Sequence, residues 1–188
     1  MENAFIVPQG QFQLQRLPYR KHELLRAWDA ADEYLLNHFA QYCKPAANAK
    51  IVIVNDSFGA LAVALADYQP IAISDSYLSQ QATQLNLHAN QRDAGTVQLL
   101  DSLSLPGVEI DYLLIKAPKT LALLEYQLHR LRPLLKPDCT VIVAGMVKNL
   151  PPTLWKIVEK LIGPTKPSLA VKKARMIFAE FEVKLQVE

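Results

Sequence analysis

In the run KIVIVN at residues 50–55, the four residues between Lys50 and Asn55 offer no polar position to turn toward solvent, so as a strand they must be covered on both faces. That requirement excludes a one-sided antiparallel sheet and calls for helices above and below. The run ends in a short polar turn, Asn55-Asp56-Ser57, and an apolar, helix-compatible stretch reopens at Phe58. Strand, tight turn and helix in that order open a nucleotide-type binding unit.

The rest of the chain continues the alternation. Helix is predicted over 58–68, strand over 70–76, helix over 77–91, strands over 96–102 and 108–117, helix over 121–135, strand over 139–146 and helix from Pro151 to Ile162, where Gly163-Pro164 stops it. The tail 169–187 holds β-type residues without an intervening helix and reads as a terminal hairpin or antiparallel edge strand. Before the first strand, QFQLQRL (11–17) reads as a short strand. Leu24, Trp28, Ala31, Leu35 and Phe39 form a stripe that predicts a helix over 23–42. Residues 1–45 are thus expected to be an extension and helix, and 46–188 an α/β domain with a Rossmann-like, mostly parallel sheet.

Composition narrows the partners. No stretch approaches the roughly 20 apolar residues of a membrane span, and the N-terminus lacks a basic-then-apolar signal pattern; a cytoplasmic location without membrane contact is expected. Cys43 and Cys139 belong to no metal-ligating or disulfide pattern. His22, His38, His88 and His129 have no second ligand at metal spacing, so no metal site is expected. No nucleophile motif or Walker loop is present. The net charge of +2 hides an asymmetry: residues 1–140 carry 12 Lys and Arg against 14 Asp and Glu, and residues 141–188 carry 8 against 4. A basic end makes a polyanion a candidate partner.

The ligands of such a sheet lie beyond the carboxyl ends of its strands. Glycines serve a cofactor turn there because backbone must approach the ligand and φ must be positive. Aligned on Gly59, an acidic-x-Gly-x-Gly-x-Gly pattern would need an acid at Asn55 and glycines at Ser57 and Leu61. Asp56 could take the acidic role or cap the helix. Asp75 and Asp101, at the ends of the second and third strands, are either remnants of a nucleotide site or caps of their own turns. Asn55, Asp56, Gly59, Asp75 and Asp101 are therefore vestigial cofactor positions, and no cofactor is expected to bind this chain.

After the fourth strand, LLIKAPKT (113–120) occupies the place where amino-group methyltransferases carry an Asn/Asp-Pro-Pro-aromatic motif. That chemistry needs an acceptor for the target amine's hydrogens. Lys116 offers only donors, and Lys119 replaces the aromatic platform. No catalytic residue is expected. Lysines beside a proline can instead contact phosphate, or be simply solvated. Lys116, Lys119, Lys148, Lys172, Lys173 and Arg175 are the candidates for a cationic rim that contacts RNA.

Four segments, LQRLPYRKHELLRAWDAADEYLL (14–36), IVNDSFGALAVALADYQPIAISDSYLS (53–79), LLIKAPKTLALLEYQLHRLRPLLKPD (113–138) and LIGPTKPSLAVKKARMIF (161–178), carry a resemblance. They are similar to the N-terminal half of the ribosomal RNA large subunit methyltransferase G family, bacterial 23S rRNA guanine-N2 methyltransferases. The resemblance implies an S-adenosylmethionine-dependent methyltransferase fold with a degenerate cofactor site, in a chain cut from a tandem-domain parent. It implies S-adenosylmethionine in the parent's other half, a catalytic C-terminal domain as partner, and large-subunit rRNA as substrate. The domain itself would be non-catalytic, contributing RNA recognition or support. Two other readings stand beside it: a free-standing small-molecule methyltransferase with an unusual cofactor loop, and a purely structural docking module.

Overall fold

The computed structural model describes residues 4–184. Among them a seven-stranded sheet runs in the order β5-β4-β3-β6-β7-β9-β8. Its strands are β3 (Ile51–Val54), β4 (Ile71–Ile73), β5 (Gln98–Leu100), β6 (Ile110–Lys116), β7 (Leu135–Met146), β8 (Thr165–Pro167) and β9 (Ala174–Glu180). β3 pairs in parallel with β4 and β6, β4 with β5 and β6 with β7; β9 runs antiparallel to both β7 and β8. The tail is thus a hairpin whose second strand inserts beside β7. A separate hairpin, β1 (Ala4–Val7) and β2 (Gly10–Gln13), precedes the sheet.

The apolar run of β3 is explained by its two covers. Ile51 and Ile53 pack with Leu35, Phe39, Leu61 and Leu87 on one face. Val52 and Val54 pack with Leu124, Leu128, Leu154 and Val158 on the other. The first cover is built from α1 (Ala30–Tyr42), α2 (Ala60–Ala64), α3 (Tyr77–Ala89) and the small hairpin, which contributes Phe5 and Phe12. The second comes from α4 (Leu121–Leu131) and α5 (Pro152–Leu161). From β3 the chain winds outward through β4 to β5 and then returns to β6 on β3's other side. The carboxyl ends of β3 and β6 therefore form a topological switch point.

Several predicted boundaries shift, each for a physical reason. The helix expected from Glu23 begins at Ala30. Asp29 accepts from the Ala31 and Asp32 N–H groups, and the Asp32 carboxylate accepts from Asp29 N–H, closing a capping box. Leu24, placed on the predicted stripe, is 91% exposed. The helix expected over 58–68 contracts to α2 and a 3-10 turn at 66–68, which Gln69 ends at φ 54°. Pro133 stops α4 early, and β7 starts at Leu135 rather than Cys139. The tail expectation beyond Lys184 falls outside the described residues.

Residues 14–29, expected partly as strand and partly as helix, instead form an irregular strap beside the switch point. Asn86 of α3 and Asn90, the C-cap of that helix, stitch it down. Asn90 exchanges hydrogen bonds with the backbone of Gln13 at 2.9 and 2.8 Å, and Asn86 with that of Gln15 at 2.9 and 3.0 Å. Asn86 also donates to the Phe58 carbonyl at 2.8 Å, tying strap, α3 and the β3 turn together.

Candidate functional site

The β3 turn at the switch point leaves the strand through Asn55, whose φ of 66° is left-handed, a conformation Asn tolerates better than most side chains. Its amide is not free for a ligand. Asn55 Nδ2 donates to Gln127 Oε1 and Gln127 Nε2 returns a bond to Asn55 Oδ1, both at 2.9 Å, and Gln127 also donates to Ser102 Oγ at 3.1 Å. Gln127 thus ties the chain after β3 and after β5 to α4 through paired amides.

Gly59 has φ +91°, and a Cβ there would lie 2.8 Å from Thr83 Cα. The glycine is thus required by the approach of α3. Gly59→Ala should lower stability by about 2 kcal/mol from left-handed strain and backbone overlap. Thermal denaturation would show a Tm drop of roughly 4–8 °C, while Gly107→Ala, where an added Cβ meets nothing within 4 Å, should leave Tm unchanged. Leu61, at the last glycine position of the pattern, is fully buried in the core.

Asp56 is buried. Its Oδ2 accepts from Ala62 N–H at 2.9 Å, so it caps α2 from inside, while its Oδ1 has no hydrogen-bond partner. Burial, followed by repulsion from Asp32, pushes its pKa up to about 7. Asp75 accepts from Ser102 N–H at 2.7 Å. Asp101 accepts from the Leu103 and Ser104 N–H groups, both at 3.0 Å, and from Ser104 Oγ. Asp101 thus holds its own turn, whereas Asp75 reaches across to the loop after β5.

Lys116 departs most from expectation. Placed on a solvent rim by the sequence, it is only 6% exposed, and its ammonium lies 2.8 Å from Asp32 Oδ1 and 3.0 Å from Asp29 Oδ1. A side chain committed this way is not available to a phosphate, which corrects its assignment as an RNA contact. Burial alone would depress the ammonium's pKa, but Asp32 and Asp29 outweigh it and hold the group above the usual lysine value. Burial also works against Asp29, yet Lys116 and two backbone N–H groups bring that carboxyl below its ordinary range; burial raises Asp32. The capping box and the β6 end are thus one ionic cluster beneath the strap. Sequence reasoning missed Asp29 and Asp32, although Asp29-Ala-Ala-Asp32 has the spacing of a capping box.

Of the remaining candidates, the four lysines are exposed. Lys119 follows β6 and Lys148 sits in a 3-10 turn after β7. Lys172 and Lys173 form the two-residue turn between the bridged Val171 and Ala174, both with left-handed φ (49° and 65°). Such a turn favours Asn and Gly, so a lysine pair there is strained. The Lys173 carbonyl accepts from Val147 N–H at 2.8 Å, which brings the turn against Lys148. Arg175, opposite Gly145 on β9, is only half exposed, and its buried Nε has no partner. Of the six candidate contacts, Lys119, Lys148, Lys172 and Lys173 are thus exposed, while Lys116 and Arg175 are drawn inward.

Residues 2–183 match the family model described as the RLMG N-terminal domain. Curated relatives named ribosomal RNA large subunit methyltransferase G include one from Erwinia tasmaniensis, 51% identical over 170 residues. That alignment covers 89% of this chain and 44% of the relative. Another, from Streptomyces griseus, is 47% identical over 182 residues, covering 94% of this chain and 47% of the relative. The chain spans about half the length of the curated relatives it matches. Among solved structures, a Thermus thermophilus 16S rRNA N2 G1207 methyltransferase bound to AdoMet and guanosine superposes with a TM-score of 0.72. It shares 16% identity, and the match covers 96% of this chain and 50% of that one. A ribosomal protein L11 methylase from Lactobacillus delbrueckii subsp. bulgaricus gives a TM-score of 0.59 at 17% identity, covering 79% and 76% of the two chains. Both likenesses concern the Rossmann-like methyltransferase fold.

Proposed function

The chain belongs to the RLMG N-terminal domain family, and from that premise we propose that it is the non-catalytic domain of an rRNA methyltransferase, holding large-subunit rRNA through its cationic rim for a catalytic C-terminal domain. The observation that carries the non-catalytic half of this reading is the ionic cluster. The residue at the head of the acceptor loop, Lys116, is a buried cation bonded to Asp29 and Asp32, and it leaves no acceptor for an amine. The other polar groups of the loop ends are likewise spent on each other. Asn55 is paired with Gln127, Thr83 closes the space beside Gly59, Asp75 holds the Ser102 N–H of the loop after β5, and Asp101 holds its own turn. These residues do not fit S-adenosylmethionine, which this reading assigns to the other half of the parent. Calorimetric titration of the 188-residue chain with that cofactor should give no binding tighter than millimolar; a micromolar constant would overturn the proposal.

The RNA half rests on the rim. Contacts to phosphate release counterions, so affinity for structured RNA should fall steeply with salt. Replacing Lys148, Lys172 and Lys173 with Ala should flatten the logarithmic salt dependence by about 2 to 3 units. Strained residues persist where function needs them. Lys172→Asn with Lys173→Gly should therefore raise stability by about 1 to 2 kcal/mol while weakening RNA binding. A filter-binding series and a melting curve on the same sample read both effects, and a variant that binds RNA unchanged would remove the turn from the interface.

Support of the catalytic partner is the second component of the reading. Leu24 and Leu25 on the strap and Leu169 in the β8–β9 connection are exposed apolar side chains, suited to a protein neighbour.

A further inference from the structure

The strap does not lie flush on the sheet edge. Between it and the loops after β3, β4 and β6 runs an open cleft of about 690 Å³, lined by Arg16, Arg26, Trp28, Phe58 and Lys119 and also by the carboxylates of Asp29 and Asp32, both of which are paired with Lys116. Its volume falls in the range of small-ligand sites. Two of its cations lie on aromatic rings: the Arg16 guanidinium is 4.8 Å from the Phe58 ring centroid and that of Arg26 is 5.2 Å from Trp28. Arg16 is tied to Arg26 by a 3.3 Å bond to its carbonyl, and Arg26 reaches Glu33 only at 3.9 Å. A planar guanidinium held on a ring presents its opposite face as a platform for another flat π-system. Lys119, which also lines the cleft, has no ion-pair partner among the described residues, and its ammonium is of the kind that contacts phosphate. Two stacking platforms beside a cation are the elements that hold an unpaired nucleotide.

We propose that this cleft takes an unstacked nucleotide of single-stranded RNA, its base on the Arg16–Phe58 or Arg26–Trp28 platform and its phosphate toward Lys119. The inference rests on the RNA-binding reading above and specifies which form of RNA that surface selects. A base locked in a duplex is stacked on its neighbours and cannot enter, whereas a loop or single strand offers splayed bases. The rim lysines see phosphate in either form; the cleft alone distinguishes them.

Trp28 makes the test direct, because the only other tryptophan, Trp155, lies on α5 and packs with the opposite cover. In the 188-residue chain carrying Trp155→Phe, Trp28 emission is followed during titration with a 12-nucleotide oligoadenylate and, separately, with a blunt-ended RNA duplex that has no loop, the two compared at equal phosphate concentration. The expected result is a change in Trp28 emission with the single strand and an affinity at least fivefold tighter than for the duplex, the low end of what one base–aromatic stack contributes. Arg16→Ser with Arg26→Ser should abolish that preference with the far-UV circular dichroism unchanged. Phe58→Leu, which keeps the apolar volume but removes one platform, should halve it or more. Equal affinity for both RNAs with silent Trp28 would overturn the cleft and leave the rim standing. Absence of binding to either RNA would overturn both readings.

Discussion

Replacing Lys116 with Met is expected to destabilise the fold by about 3–5 kcal/mol, the cost of breaking a buried ion pair by removing one partner. At 188 residues that corresponds to a fall in Tm on the order of 10 °C. The reason is local. Met keeps the aliphatic volume but leaves the Asp32 carboxylate, 3% exposed, without its cation and with the Asp56 carboxyl nearby. Asp29, partly exposed, retains the N–H groups of Ala31 and Asp32 and suffers less. A charge-free triple variant, Lys116→Met with Asp29→Asn and Asp32→Asn, should recover much of the loss. If the single variant does not fold, the recovery and Asp32→Asn alone still measure the cluster. A surface lysine serving RNA would behave in the opposite way, losing affinity at constant Tm. Unfolding in urea, with RNA affinity determined on the same variant, separates the two.

The second large effect is a pH dependence centred on Asp56. Its folded pKa is raised to about 7 from an ordinary 3.8, so the folded state binds a proton that the unfolded state gives up sooner. Stability is therefore greatest below the unfolded value. It declines as pH climbs from about 4 to about 7 and levels off above that window. The span limits the loss to roughly 4 kcal/mol. Facing Asp56 are Asp32 on α1, Lys116 on β6 and the N–H groups of Ala62 and Leu61 on α2. Asp29, with its lowered pKa, contributes in the reverse sense and loses its stabilisation as pH falls. The measurement is consequently a difference: Asp56→Asn, isosteric with the protonated acid, should be more stable than the wild type at pH 8 and converge with it near pH 4. A constant gap across that range would show that Asp56 is not the titrating group.

These two effects also explain how the polar loop ends of a methyltransferase-like fold are satisfied from within the chain. Loop ends at a switch point bring backbone and side-chain polar atoms together at the sheet edge, and each needs a partner. Here the partners come from the protein itself: an amide pair, an interior helix cap and an ion cluster closed by an N-terminal helix. The same closure fixes where the strap runs, and with it the cleft and the exposed cations around it.

What could be read from the residues alone was whatever depends on neighbours in sequence. The β-branched run at 50–55 specifies a strand covered on both faces, the strand–helix alternation specifies a parallel sheet, and the tail's lack of a helix specifies an antiparallel ending, because periodicity and turn chemistry act over a few residues. That Gly59 has no glycine at Ser57 or Leu61 was legible for the same reason, and so was the donor-only character of the Lys116 side chain. The use to which those residues are put was decided by the fold. Lys116 meets Asp32 and Asp29 across 84 and 87 positions, Asn55 meets Gln127 across 72, and Asn86 reaches Gln15 across 71. No local pattern encodes such pairs. A lysine reads as solvated until tertiary packing excludes water from it and supplies two carboxylates, and only then does its charge become part of the interior.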